Sequence, residues 1–452
     1  MPKIKNQPRL SSEEALQLAR WDAPRLRDLL ANMHATELAE LLIGCRKDDA
    51  RLSLIPYIAD DMLGDVLLEL PEAMQEDLLA ILKPSEIEEA VEHLNSDDAT
   101  DLLQAMDKEA ADELMGRLEP EERRGLEPLL AHDEESAGGL MQAELFKVRD
   151  DWSVEKVILV LRRFGREIEN LNYVYVVNRE DVLVGVLSLH ALLFAEADVV
   201  ISTLTSAKFH SVTATQDQEE VARIFDKYDM MALPVIDEAG ILIGRITADD
   251  VMDVIQEEAA EDMYRLAALS DQDDMAEPVA TTARRRGIWL AVNLMTAIAA
   301  SMVISQFEAT LSQIVALAIL MPIVASMGGI AGTQTLTVIV RSIALGRVTF
   351  ENARRALIKE VAVGSVSGLV FALVMGVIAS LWFPVLGIKL GLIIAAAMMI
   401  NLFVAGLAGA MIPLTLQRLN IDPALASGTI LTTVTDVVGF FSFLGLATIF
   451  LI

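Results

Sequence analysis

The chain has 452 residues, 53% of them hydrophobic and 23% charged, with a formal net charge of −30. Of its 66 acids and 36 bases, 61 acids and 29 bases precede residue 287, so residues 1–286 carry −32 and the remainder +2. An acidic soluble part is thus joined to an apolar part, which excludes a single soluble globule and argues against nucleic acid as a partner, since phosphates would be repelled. The lone Cys45 excludes an internal disulfide framework and a thiolate-cluster metal site. The first residues lack an apolar core, so no signal peptide is expected.

Residues 1–137 read as an acidic α-helical solenoid. Leu70, Leu82, Leu94, Met106, Leu118 and Leu130 recur every twelve residues. Pro71-Glu72, Pro84-Ser85-Glu86, Ser96-Asp97-Asp98 and Pro120-Glu121-Glu122 follow as helix starts with acidic first turns. No catalytic constellation occurs here, and His34, His93 and His132 lack partners at metal-ligand spacing.

Residues 138–256 contain an internal α/β repeat. Val174-Tyr175-Val176-Val177, Gly185 and Leu187-Ser188 recur 59 residues later as Leu233-Pro234-Val235-Ile236, Gly244 and Ile246-Thr247. Each copy predicts two short strands around a turn, then a helix. The pattern resembles a tandem pair of CBS modules. Such pairs often bind adenosine nucleotides, which the resemblance would assign to Gly244, Thr247 and Asp250. In the first copy Ala191 replaces the acid. A plain helix cap is the alternative reading for Thr247 and Asp250.

Residues 257–286 are expected to form a long connecting helix. Asp249, Asp250 and Asp253 just before it and Glu257, Glu258, Glu261 and Asp262 at its start crowd one helical stretch. Like charges at i,i+4 destabilise an isolated helix, so this run points to bound divalent cations as well as to a solvated face.

Residues 287–452 hold five apolar stretches, at about 287–306, 311–340, 361–383, 390–413 and 424–450, each long enough to span a bilayer. Pro322, Gly328, Gly329 and Gly332 predict a kink or break in the second. Arg284–Arg286 and the bases of 341–360 fall on one side, which by the positive-inside rule is cytoplasmic. The acidic front is then cytoplasmic and Ile452 outside. Asp436 stands as the lone ionisable residue inside the spans, and such a group normally faces a watery path. Thr429, Thr432 and Thr433 precede it on one helical face. Hydroxyls leading to a carboxylate suit a hard cation, and Mg²⁺ keeps most of its water while using one or two carboxylates.

These segments together, above all Leu320-Met321-Pro322 through Gly332-Thr333-Gln334-Thr335 and Asp422-Pro423-Ala424 through Thr435-Asp436-Val437-Val438-Gly439, resemble the MgtE family of magnesium channels over nearly the whole chain. The resemblance implies a multidomain membrane protein: helical N-domain, tandem CBS domain, plug helix and five-helix pore domain. It implies a homodimer in the plasma membrane that imports Mg²⁺ down the membrane potential and closes when Mg²⁺ binds its cytosolic acids, with ATP a further ligand of the CBS pair. It assigns the hydrated ion to Asp436. It assigns regulatory Mg²⁺ to Asp97 and Asp101 in the N-domain, to Glu219, Asp229, Asp250, Asp253, Glu258, Glu261 and Asp262, and to Asp422 at the cytoplasmic mouth. Ile330 departs from the asparagine common after the paired glycines. The alternatives are a transporter of another divalent ion such as Mn²⁺ or Co²⁺, and a membrane-anchored nucleotide sensor without transport.

Overall fold

The computed structural model describes residues 10–45, 47–166, 168, 170–205, 208–267, 269, 279–425 and 427–452. The chain folds as two compact units, Met1–Ile255 and Gln256–Ile452.

In the first unit the twelve-residue period becomes a helical solenoid. Helices Glu72–Leu79, Pro84–His93, Ser96–Gln104, Lys108–Met115 and Pro120–Leu129 start at that interval. Pro84 and Pro120 occupy the first helical position, where a missing N–H costs nothing. Helices this short are marginal alone. They are held by one shared core that includes Leu67, Leu70, Leu78, Leu82, Leu102, Leu103 and Leu118.

The repeat becomes two three-stranded sheets of identical order. β1 (Lys147–Arg149) pairs parallel with β2 (Tyr173–Val177), which pairs antiparallel with β3 (Leu183–Ser188). β4 (Val212–Thr213), β5 (Ala232–Ile236) and β6 (Leu242–Thr247) repeat that arrangement. Gly185 opposes Val176 and Gly244 opposes Val235, each next to an equivalent register shift. The glycines admit a crossing segment: a Cβ on Gly244 would lie 2.7 Å from Met141 Sδ and 3.1 Å from the Gln142 carbonyl oxygen.

Helix Ala248–Leu266 follows β6, and Val279–Ser305 is, among the described residues, the first of five helices long and apolar enough to cross a membrane. The expected connecting helix over 257–286 is therefore shared between two helices where it is described, and its residues 268 and 270–278 lie outside the described residues. The remaining spans are Val315–Ala344, Ala353–Trp382, Gly387–Arg418 and Ser427–Leu451, with a short helix Glu308–Gln313 before the second.

The expected kink or break at Pro322 and the glycines is not realised as a break: the second span is one helix of 30 residues, and the interruption falls earlier, at Ile314. The glycines serve packing instead. A Cβ on Gly328 would strike Asn401, and one on Gly332 would meet Leu431. Third and fourth spans approach in the same way, with Gly364 against the Leu402 carbonyl and Gly406 against that of Glu360, as expected where lipid offers no hydrophobic drive between helices.

Candidate ion pathway and cytosolic acidic sites

Asp436 lies in the middle of the fifth span and is half-buried. Among the described residues its carboxylate accepts no side-chain hydrogen bond and joins no ion pair. It opens instead on two grooves. One, of about 740 Å³, runs along the second span and is lined by Ser326, Gly329, Thr333, Gln334 and Thr337 together with Thr432. The other, of about 390 Å³, is bounded by Asn293 and Thr296 of the first span with Thr432 and Thr433. Ser326, Thr333 and Thr337 recur at helical spacing on one face. Their oxygens and the Asp436 carboxylate form a polar strip along the facing second and fifth spans. The threonines before Asp436 divide. Thr432 and Thr433 reach the grooves while donating their hydroxyl protons to the carbonyls of Gly428 (3.0 Å) and Thr429 (2.7 Å). Thr429 is buried and lines neither groove, because it points into the bundle interior.

Asp436 is not the lone ionisable group of the membrane helices. The third span begins at Ala353 rather than near 361, so Glu360 sits about two turns inside it. Glu360 is buried and accepts a hydrogen bond from the Thr335 hydroxyl at 3.3 Å.

In the first unit Asp97, Asp98 and Asp250 gather on adjoining elements. Asp97 accepts from Gln142 Nε2 at 2.9 Å, while its other carboxylate oxygen is buried without a hydrogen-bond partner. The Gln142 side-chain amide oxygen, Oε1, accepts from Arg245 Nη2 at 2.6 Å, which ties the solenoid acid to β6. Burial and then the charge of Asp250 push the Asp97 carboxyl up to about 7. Burial and then Asp97 push Asp98 up to about 8, with Asp250, Asp101 and Asp65 adding to it. The sequence points to the neighbours Asp97 and Asp101 and misses Asp98; Asp101 is exposed at the edge of the group. Asp253 is raised by burial, then by Glu69 and Asp249.

Asp250 also caps a helix. Its Oδ2 accepts from the Thr247 hydroxyl at 2.6 Å and from the Thr247 N–H at 3.2 Å. Ser188 caps the equivalent helix of the first copy through the Ala191 N–H. Glu219 and Asp229 occupy opposite ends of helix Gln218–Tyr228, with Asp229 in the left-handed conformation at φ 50°. At about 1.5 Å per residue these two are roughly 15 Å apart, too far to share an ion within one chain.

In the second unit Arg265 bridges Glu261 on its own helix and Asp422, whose Oδ2 lies 2.5 Å from Nη1. Leu266 packs beside Leu336, Val340, Ala424 and Leu431, seating the helix end against the second and fifth spans. Burial, then Asp422 and Glu258, raise the Asp262 carboxyl. Among the described residues no three carboxylate, imidazole or thiol groups converge as a ready-made metal site. Pairs of acids and the orphaned Asp97 oxygen do fit a cation that retains most of its water.

Residues 321–446 match the family model MgtE, described as a divalent cation transporter; residues 33–135 match the MgtE intracellular N domain, and residues 137–198 and 201–257 match CBS domains. A magnesium transporter MgtE of Thermus thermophilus is 38% identical over 343 residues, 74% of this chain and 74% of that protein. The chain belongs to the MgtE family. The magnesium transporter MgtE of Bacillus subtilis is 32% identical over 337 residues, 75% of this chain and 74% of the relative. The crystal structure of the cytosolic domain of the Mg²⁺ channel MgtE in complex with ATP is 36% identical, with a TM-score of 0.51, and aligns with 54% of this chain and 98% of that one. The architecture expected of an MgtE chain is thus present: N-domain, CBS pair and five apolar helices. Ile330 lines the larger groove with an apolar side chain.

Proposed function

We propose that this chain is a Mg²⁺ channel or transporter that admits the ion down the membrane potential and closes when cytosolic Mg²⁺ is plentiful. The observation that carries the reading is the Asp436 carboxylate, half-buried in the fifth span, open to a groove of hydroxyls and without a protein partner among the described residues. A divalent ion gains about 4.6 kcal/mol per 100 mV on entering, at roughly 2.3 per elementary charge. That supplies the drive without nucleotide hydrolysis, and a carboxylate from each of two subunits suits an octahedral, hydrated ion. The chain acts as a homodimer in the plasma membrane, with residues 1–286 cytoplasmic by the positive-inside rule and Ile452 outside.

Regulation rests on the clustered acids. Two unpaired carboxylates about 4 Å apart repel by roughly 4 kcal/mol at an effective dielectric of about 20. Asp97 and Asp98 with Asp250, Asp253 near Glu69, and Asp262 with Asp422 and Glu258 would hold regulatory Mg²⁺, with Asp101, Glu219, Asp229 and Glu261 at the margins. ATP at the CBS pair is a second ligand in this reading, supported by the ATP complex of the related cytosolic domain. It would take the Thr247 hydroxyl from the cap that now binds it to Asp250.

The test is ion uptake by proteoliposomes. Asp436→Ala is expected to abolish Mg²⁺ entry while leaving reconstitution and thermal stability near those of the parent. Unchanged flux would remove the filter assignment. Flux of Mn²⁺ or Co²⁺ undiminished by excess Mg²⁺ would favour a transporter of another divalent ion.

A further inference from the structure

A buried amide stands where three of the membrane helices meet. Asn401 is fully buried near the middle of the fourth span. Its Nδ2 donates to the Val324 carbonyl oxygen of the second span at 2.9 Å. Its Oδ1 is buried with no hydrogen-bond partner. Both neighbouring helices present glycine to it. A Cβ on Gly328 would lie 2.2 Å from Nδ2, and a Cβ on Gly439 would lie 2.8 Å from it. These are the two helices that form the larger groove. Gly439 follows Asp436 by three residues, one helical turn, and Gly328 precedes the groove-lining Gly329.

An asparagine in hydrocarbon is costly unless it is paired, and one half of this amide is unpaired. A helix-to-helix bond alone explains the donor side. It does not explain why two helices surrender their side chains to seat the group. The joint consequence is geometric. The Val324 bond sets the depth of the second span against the fourth, and the two glycines set how closely both pore-forming helices approach the amide.

We propose that Asn401 is a positioning residue for permeation: it holds the second and fifth spans at the separation that matches Asp436 and the opposing hydroxyls to a hydrated small divalent ion. It does not touch the ion. The proposal rests on the reading of Asp436 as the ion site. A packing role alone would change how much protein folds. A positioning role changes which ion passes.

The experiment compares Mg²⁺ and Ca²⁺ entry into proteoliposomes, with uptake normalised to folded protein by thermal unfolding in detergent. Asn401→Leu, with the same branched shape and number of side-chain heavy atoms but unable to bond Val324, should lower the Mg²⁺-to-Ca²⁺ flux ratio about tenfold, the scale of one lost hydrogen bond. Should that variant fail to fold, Gly439→Ala tests the same contact from the other side, because its methyl displaces the amide. It should lower the ratio in the same direction. Adding Asn401→Ala to Gly439→Ala should restore thermal stability and leave the ratio low. Ratios equal to the parent's in the folded variants, with flux scaling only with folded protein, would overturn the proposal. Asp436→Ala, run alongside, separates the two readings. Flux lost in Asp436→Ala with an unchanged ratio in Asn401→Leu removes the positioning role alone, whereas flux intact in Asp436→Ala removes the ion-site reading and the positioning role with it.

Discussion

Asp97 and Asp98 show how the sequence stores a demand for cations in single residues. Adjacent acids at a helix start are ordinarily favourable, since they meet the positive end of the helix dipole. Here the same turn is buried against Asp250, and the two carboxyls are pushed to about 7 and about 8, against about 3.9 for a free aspartate. The folded unit therefore holds more protons than the unfolded chain between those limits. The stability these two groups contribute is fully present below about pH 4, falls as pH rises through the window, and is lost above about pH 8. We expect the thermal midpoint of the purified, metal-free protein to drop between pH 6 and pH 8. Mg²⁺ should raise the midpoint more at pH 8 than at pH 6, because it competes with protons for the same oxygens. Asp98→Asn should flatten the pH slope and raise the midpoint at pH 8 by a few degrees, at about 2–4 °C per kcal/mol for a unit of this size. A slope unaffected by Asp98→Asn would place the titration elsewhere. Asp98 is not legible in the sequence, because nothing in a run of neighbouring acids says which one turns inward.

At the scale of helices, glycine does two jobs that one letter cannot tell apart. Gly364 is a contact: a Cβ there would sit 2.7 Å from the Leu402 carbonyl oxygen, which is backbone and cannot yield. Gly329 has nothing within 4 Å of such a Cβ and instead forms part of the groove wall beside Asp436. Gly364→Val should cost about 1–3 kcal/mol by forcing the third and fourth spans apart, read as a lower thermal midpoint in detergent. Gly329→Ala should change stability by less than about 0.5 kcal/mol while reducing Mg²⁺ flux, because its methyl narrows the groove. Equal flux would move the pathway off that wall. This ambiguity explains why the glycines predict a kink in the second span where the structure has one helix. The twelve-residue solenoid and the doubled strand pattern are legible because their periods are set by backbone geometry. Asp436 is legible because a charge in lipid is expensive. Ser326, Thr333, Thr337 and Asn401 are not, because a neutral hydroxyl or amide adds no charge and interrupts no apolar stretch, and so leaves no trace from which its neighbours could be read.

Across the whole molecule, the −32 of residues 1–286 invites a simple account in which general repulsion opens the pore and any salt closes it. The placement of the acids argues otherwise. Charges exposed on a surface are screened beyond about 8 Å at physiological ionic strength, so most of that charge is already muted in the cell. The acids that remain coupled are the sheltered ones: Asp97 and Asp98 with Asp250, and Asp262 with Asp422. A monovalent ion can thin the atmosphere around such groups but cannot bridge two carboxylates, whereas Mg²⁺ can. In excised patches, millimolar Mg²⁺ on the cytoplasmic face should therefore lower open probability steeply, because several sites bias one closed state together. KCl at matched ionic strength should leave open probability nearly unchanged. Asp98→Asn and Asp262→Asn should each shift the Mg²⁺ dependence to higher concentration, and the pair together should shift it further, since the two sites lie in different units and act on the same equilibrium. Closure by KCl equal to that by Mg²⁺ would return control to bulk charge and strip the sheltered acids of their role.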